Sequence, residues 1–181
     1  MKAPDLQVAQ WFNTEQDLAL SDFAGKVVVI EAFQMLCPGC VSHGIPLAQT
    51  VQKTFSPEQV AVIGLHTVFE HHEAMTPVSL AAFLHEYRIS FPVGVDAPGE
   101  GAMPKTMMAY QMRGTPSLIL IDKFGHLRAH HFGNVTELQL GAEIGTLLAE
   151  QNAPAAAQAA DANTDREASK SDRCDDDGCP V

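Results

Sequence analysis

"KVVVIEAFQMLCPGCVSHG", residues 26–44, sets a run of apolar, β-branched residues directly before two cysteines separated by two positions. The run is apolar at successive rather than alternate positions, which predicts a strand buried on both faces. Cys37 follows that strand by a few residues, and Pro38 suits the first position inside a helix, where a missing N–H costs nothing. Cys37 is therefore expected at the N-cap, its sulfur accepting from backbone N–H groups as far on as Cys40 and sitting at the positive end of the helix dipole. That setting makes Cys37 the exposed thiol of lowered pKa and Cys40 its shielded partner.

Outward from this stretch, "VAVIGL" (60–65) and "SLILID" (117–122) read in the same way, as buried parallel strands, and "HLRAHHF" (126–132) as a half-exposed antiparallel strand after the turn "DKFG". "PGCVSHGIPLAQTVQKTF" (38–55) has helical content that Gly44 and Pro46 are expected to kink or break. "PVSLAAFLHEYRI" (77–89) and "TELQLGAEIGTLLAE" (136–150) carry apolar residues at helical spacing. The alternation predicts an α/β domain over residues 1–150. From 151 to 173 the composition turns to Ala, Asp, Ser and Gln, too poor in bulky apolar groups to offset the entropy of ordering, so a flexible linker is expected. Residues 174–181, "CDDDGCPV", hold a second pair, Cys174 and Cys179.

Of 181 residues, four are cysteine, and the net charge is -11. Such acidity repels nucleic acid and anionic membranes, so neither is expected as a partner. No segment approaches the apolar length of a membrane span and the start lacks an apolar leader core, from which a soluble, cytoplasmic protein is expected. Two close cysteine pairs are too few for a disulfide scaffold at this size and point to redox or metal chemistry.

Strand, "CPGC" at a helix start and the later "RGTPSLILID" (113–122) together resemble the thioredoxin superfamily, in its TlpA-like and ResA-like redoxin branch. The similarity covers roughly residues 3–148 and includes "APDLQVAQWFN", "LSDFAGKVVVIEAF" and "ISFPVGVD". The resemblance implies a thioredoxin-like fold: a central mixed sheet flanked by helices, with an N-terminal extension and a flexible tail. It implies a thiol-disulfide oxidoreductase that works through a Cys37/Cys40 dithiol on a disulfide-containing protein or a small-thiol substrate. A thiol reductant regenerates the pair and no cofactor is called for. Pro116 corresponds to a cis-proline facing the disulfide, with the backbone of Thr115 presented to substrate beside Pro38 and Gly39. Glu31 stands where the family carries a buried acid, and a carboxyl flanked by Ile30, Ala32 and Phe33 has its pKa raised by desolvation, so that it can shuttle the proton Cys40 must lose. Leu36 departs from the family's usual tryptophan before the first cysteine.

Other residues admit more than one reading. "LHTVFEHHEAM" (65–75) groups His66, His71 and His72 with Glu70 and Glu73 in an expected polar loop on the Cys37 edge of the sheet: a metal site, part of the substrate surface, or a solvated loop. His43, one turn after Cys40, stabilises a thiolate, joins a Cys-Cys-His metal set, or is a plain polar position. His130 and His131 alternate on a strand and point to opposite faces. Cys174 and Cys179 form an accessory redox dithiol, a soft-metal clamp or a passive disulfide. Two rival functions stand. A thiol peroxidase uses Pro-X-X-X-Thr-X-X-Cys, but Ile30 and Gln34 occupy those offsets before Cys37, and Phe33 and Cys37 those before Cys40. A non-catalytic metal-binding or thiol-sensing module would use all four cysteines.

Overall fold

The structure is a computed structural model that describes residues 1–151. The tail pair, Cys174 and Cys179, and the linker after its first residue lie outside the described residues.

Six strands form one sheet: β1 Val8–Phe12, β2 Val27–Phe33, β3 Val60–His66, β4 Val93–Asp96, β5 Ser117–Ile121 and β6 Leu127–Phe132, in the spatial order β1-β4-β3-β2-β5-β6. β2 lies inside the sheet and is buried at every position, as its unbroken apolar run requires. β3 runs parallel to β2 and β4. β5 corrects the reading of "SLILID" as parallel, since it pairs antiparallel with β2, Val28 opposite Ile121 and Ala32 opposite Ser117. Both faces of β5 are covered, and coverage rather than direction makes a strand uniformly apolar. β1 and β6 close the two edges antiparallel.

Alternation along β2 divides the interior in two. Val27, Val29 and Phe33 face helices α1 Ile45–Thr54, α2 Pro77–Glu86 and α4 Glu137–Ala149, packing with Val51, Leu80 and Ile144. Val28, Ile30 and Ala32 face the other way, toward Met107 of the short α3 Lys105–Ala109, with Tyr110 and Met112 beyond it. α2 and α4 start where a threonine caps them, Thr76 accepting from the Ser79 N–H at 3.3 Å and Thr136 from the Gln139 N–H at 3.2 Å. The strand β4 and helix α3, too short for a periodic signal, are fixed by one buried carboxylate. Asp96 accepts from the N–H groups of Thr106 (2.8 Å) and Met107 (2.9 Å) and from the Thr67 hydroxyl (3.0 Å), joining the end of β4 to α3 and to the residue after β3.

The break expected at Gly44 and Pro46 does not occur. The helix begins at Pro38, widens into a π turn over Cys40–Gly44 and continues as α1. The Ile45 N–H reaches back five residues to the Cys40 carbonyl, so the α-type ladder restarts there and Pro46 falls in its first turn, where no N–H is missed.

At the opposite end of the sheet from Cys37, the last turn of α4 is clamped. Lys123 Nζ donates to the carbonyls of Leu148 (3.0 Å) and Glu150 (2.5 Å), and Arg128 holds the Glu150 carboxylate with two hydrogen bonds of 2.5 and 2.7 Å. Buried Asp122 braces Arg128 from below and accepts from the N–H groups of Phe124 and His126.

Candidate active site

β2 ends at Phe33, and a tight turn closed by the Cys37 N–H on the Gln34 carbonyl (3.2 Å) delivers Cys37 to the sheet edge. Gln34 is buried, and its amide accepts from the Phe69 N–H and donates to Glu70, tying this turn to the loop after β3. Cys37 and Cys40 are joined as a disulfide with Cα atoms 5.3 Å apart. The Cys40 N–H points at Cys37 Sγ, 3.2 Å away, and the Val41 N–H makes the first helical bond to the Cys37 carbonyl, which is the cap geometry expected of Cys37. Cys37 is half-buried, whereas Cys40 is 0% exposed.

The Thr115–Pro116 segment lies against this pair. The bond between them is cis, and the Thr115 carbonyl oxygen stands 3.5 Å from Cys37 Sγ. Gly39 rests on the Pro116 ring so closely that a Cβ there would come within 3.3 Å of Cδ, while Pro38 is exposed. Six residues singled out from the sequence, Cys37, Pro38, Gly39, Cys40, Thr115 and Pro116, are thus brought to one place.

Glu31 lies beneath the turn that starts at Cys40. It is 1% exposed, a Cβ on Gly44 would overlap its Oε1, and that oxygen has no hydrogen-bond partner. Burial holds its carboxyl well above the usual carboxylate range, because the charged form loses its hydration.

The rim of the site carries Arg113 and Phe132, which the sequence did not single out, and Leu36, which it did. Phe132, at the end of β6, is 50% exposed; the Arg113 guanidinium sits 5.2 Å from its ring centroid, and Gly114 passes beneath it where a Cβ would come within 3.0 Å. Leu36 is 58% exposed, so the position before Cys37 presents an aliphatic group to solvent. Arg113 and Phe132 are far apart in sequence, and only the β5–β6 pairing brings them together.

The histidines separate. His66 is not in a polar loop: it is the last residue of β3, buried, with its ring 5.4 Å from that of Phe33 and both nitrogens unpartnered. Desolvation lowers its pKa to about 4, so it is a neutral core residue at ordinary pH. The run "VAVIGL" extends one residue further than its apolar letters. His71 and His72 are exposed on the loop beyond, away from any shared site with His66. Among the described residues no three His, Cys, Asp or Glu side chains converge to hold a metal ion. His131 pairs with Glu143 on α4 at 2.7 Å while His130 lies on the other face. His43 is exposed, its Nδ1 2.6 Å from Ser42 Oγ.

The family model described as "AhpC/TSA family" matches residues 1–130. The chain belongs to the AhpC/TSA family. Among solved structures, this AhpC/TSA protein is 75% identical to a thioredoxin-like superfamily protein, with a TM-score of 0.83, 85% of this chain and 99% of that one being covered. A thiol-disulfide isomerase from Corynebacterium glutamicum is 50% identical at a TM-score of 0.79, with coverage of 82% and 98%. The fold is thioredoxin-like, as the sequence implied. NHL repeat-containing protein 2 of Bos taurus is 30% identical over 120 residues, 65% of this chain, and the AhpC/TSA chain spans 16% of that relative's length.

Proposed function

We propose that this protein is a thiol-disulfide oxidoreductase in which the reduced Cys37 thiolate attacks a partner disulfide. The observation that carries the reading is the position of Cys37 Sγ, at the start of a helix under the Cys40 N–H and 3.5 Å from the Thr115 carbonyl. In the reduced protein the same N–H and the helix dipole favour the thiolate over the thiol. Attack forms a mixed disulfide between Cys37 and the partner and expels the partner's first thiolate. Cys40, deprotonated by Glu31, then attacks Cys37 Sγ, which releases the second thiolate and leaves the 37/40 disulfide. Thr115 and Pro116, with Pro38 and Gly39 opposite, offer backbone groups to an extended segment of the partner, and Leu36 and Phe132 give that segment apolar contact.

Cys40→Ser is the direct test, because it stops the cycle at the mixed disulfide. A covalent adduct that accumulates on Cys37 with a disulfide-bearing protein, and disappears on adding dithiothreitol, supports the reading. Absence of any adduct, together with wild-type inactivity on insulin disulfides, overturns it. Hydrogen-peroxide turnover by the wild type would favour the peroxidase reading instead. A reducing cytoplasm is the proposed setting, with electrons flowing to the partner, and a 37/40 couple held oxidised in cells would reverse that direction. Cys174 and Cys179 are proposed as an accessory dithiol. Titrating thiols against glutathione with C174S/C179S beside the wild type decides this: loss of a second two-electron couple supports it, and a single unchanged couple refutes it.

A further inference from the structure

Beside Glu31 the interior holds a cavity of about 10 Å³, walled by His43, Gly44, Leu118, Asn134 and Val135 among others. That is the volume a single water occupies. Glu31, whose buried Oε1 has no partner, and His43, which is exposed to solvent, both line it. No other residue walling the cavity titrates. Cys40 is buried at the start of the same turn, whose Gly44 covers Glu31.

Ser42 Oγ lies 2.8 Å from the Pro38 carbonyl oxygen and 2.6 Å from His43 Nδ1, so it ties the ring to the first turn of the helix through Nδ1 and leaves Nε2 outside that contact. Unlike buried His66, this imidazole is exposed and can exchange protons directly with bulk water.

We propose that His43 is the outlet for the Glu31 proton, a positioning and relay residue that links the buried carboxyl to solvent through the cavity. The inference rests on the oxidoreductase reading for the proton's origin. Cys40 gives its proton to the Glu31 carboxylate as its sulfur attacks Cys37; the 37/40 bond forms and the Cys37–partner bond breaks, with both electrons leaving on the partner sulfur. Glu31 then returns to the carboxylate by passing the proton through the cavity to Nε2 of His43, and the imidazolium releases it to water. The reverse path reloads Glu31 when the pair is reduced.

The test is His43→Gln, at an exposed position where the fold is kept. Single-turnover resolution of a preformed Cys37 mixed disulfide with a small aromatic thiol, at pH 7 in dilute buffer, is expected to slow about tenfold. Millimolar imidazole is expected to restore the rate in H43Q and leave the wild type unchanged. Wild-type and H43Q rates that agree across pH 5–9 and across buffer concentration overturn the relay. A second readout needs no turnover: the Glu31 carboxyl carbon, followed by NMR across pH in the oxidised protein, is expected to show a second inflection that H43Q loses. If neither protein resolves mixed disulfides the oxidoreductase reading falls, and the carbon titration alone judges the link, an inflection supporting it and none overturning it.

Discussion

The carbonyl oxygen of Thr115 and the sulfur of Cys37 face each other across 3.5 Å, with Gly39 set so close to the Pro116 ring beside them that no side chain fits between. A side chain at position 39 wedges the two apart, since even a Cβ would come within 3.3 Å of Pro116 Cδ. Gly39→Val is expected to lower kcat/KM for a protein disulfide about tenfold, or about 1.4 kcal/mol of transition-state stabilisation. The urea midpoint should move little, because position 39 is only half-buried. An unchanged kcat/KM would mean that the approach is not used.

Gly44 answers to a stricter limit. Adding one methyl group there overlaps the Glu31 carboxyl and also meets Pro116 Cβ at 3.2 Å. Gly44→Ala is expected to cost about 1–3 kcal/mol by overpacking. That is opposite in sign to the gain alanine gives in an ordinary helix interior. Denaturant unfolding of G44A, with the exposed Ser42→Ala as a control, measures it.

Two buried groups pull stability in opposite directions with pH. Unfolded glutamate loses its proton near 4.5, while Glu31 keeps its own to a higher pH, so the folded state binds the extra proton and stability falls as pH rises above 4.5. His66 titrates at about 4 folded against 6.5 unfolded, so the unfolded state binds the extra proton and stability falls as pH drops from 6.5 toward 4. Each slope is at most about 1.4 kcal/mol per pH unit, and in the window that opens at pH 4.5 the two oppose each other. Glu31→Gln is expected to gain stability with pH over that window, His66→Phe to lose it, and the wild type to lie flatter than either in urea unfolding. A wild-type curve steeper than that of E31Q would contradict this.

The clamp on α4 divides unequally. Arg128 and Glu150 are each about a quarter exposed, so Glu150→Ala is expected to cost no more than about 1 kcal/mol. Asp122 is 1% exposed at its side chain and receives two backbone N–H groups as well as Arg128. Asp122→Ala leaves those donors buried and is expected to cost about 2–4 kcal/mol. Melting temperatures of the two variants rank the contributions.

Long apolar runs and capped helices were legible because they carry their own signal. β2, β3, β5, α2 and α4 all begin and end within a residue or a few of where the letters suggest. Strand direction was not, since "SLILID" would look the same pointing either way. β4 and α3 went unread because four and five residues carry no period, and what fixes them is the reach of Asp96 across ten positions to Thr106. At the site, residues near Cys37 in sequence were legible and so were those bearing a motif, as in "RGTP". Arg113 and Phe132 were not, because their contact exists only through strand pairing. His66 misled for the converse reason: its letters belong to a polar run, but its backbone belongs to the sheet.

The π turn sets an angle as well as a path. In an α-helix each residue advances about 100° around the axis. The extra residue between Cys40 and Gly44 therefore rotates everything before it, the dithiol included, against everything after it, the face of α1 that buries Ile45, Ala48 and Val51. The aim of the sulfurs toward Thr115 is thus a matter of counting: one residue fewer in that turn, whatever its side chain, would swing the pair by about a quarter of a revolution while the core beneath stayed in register.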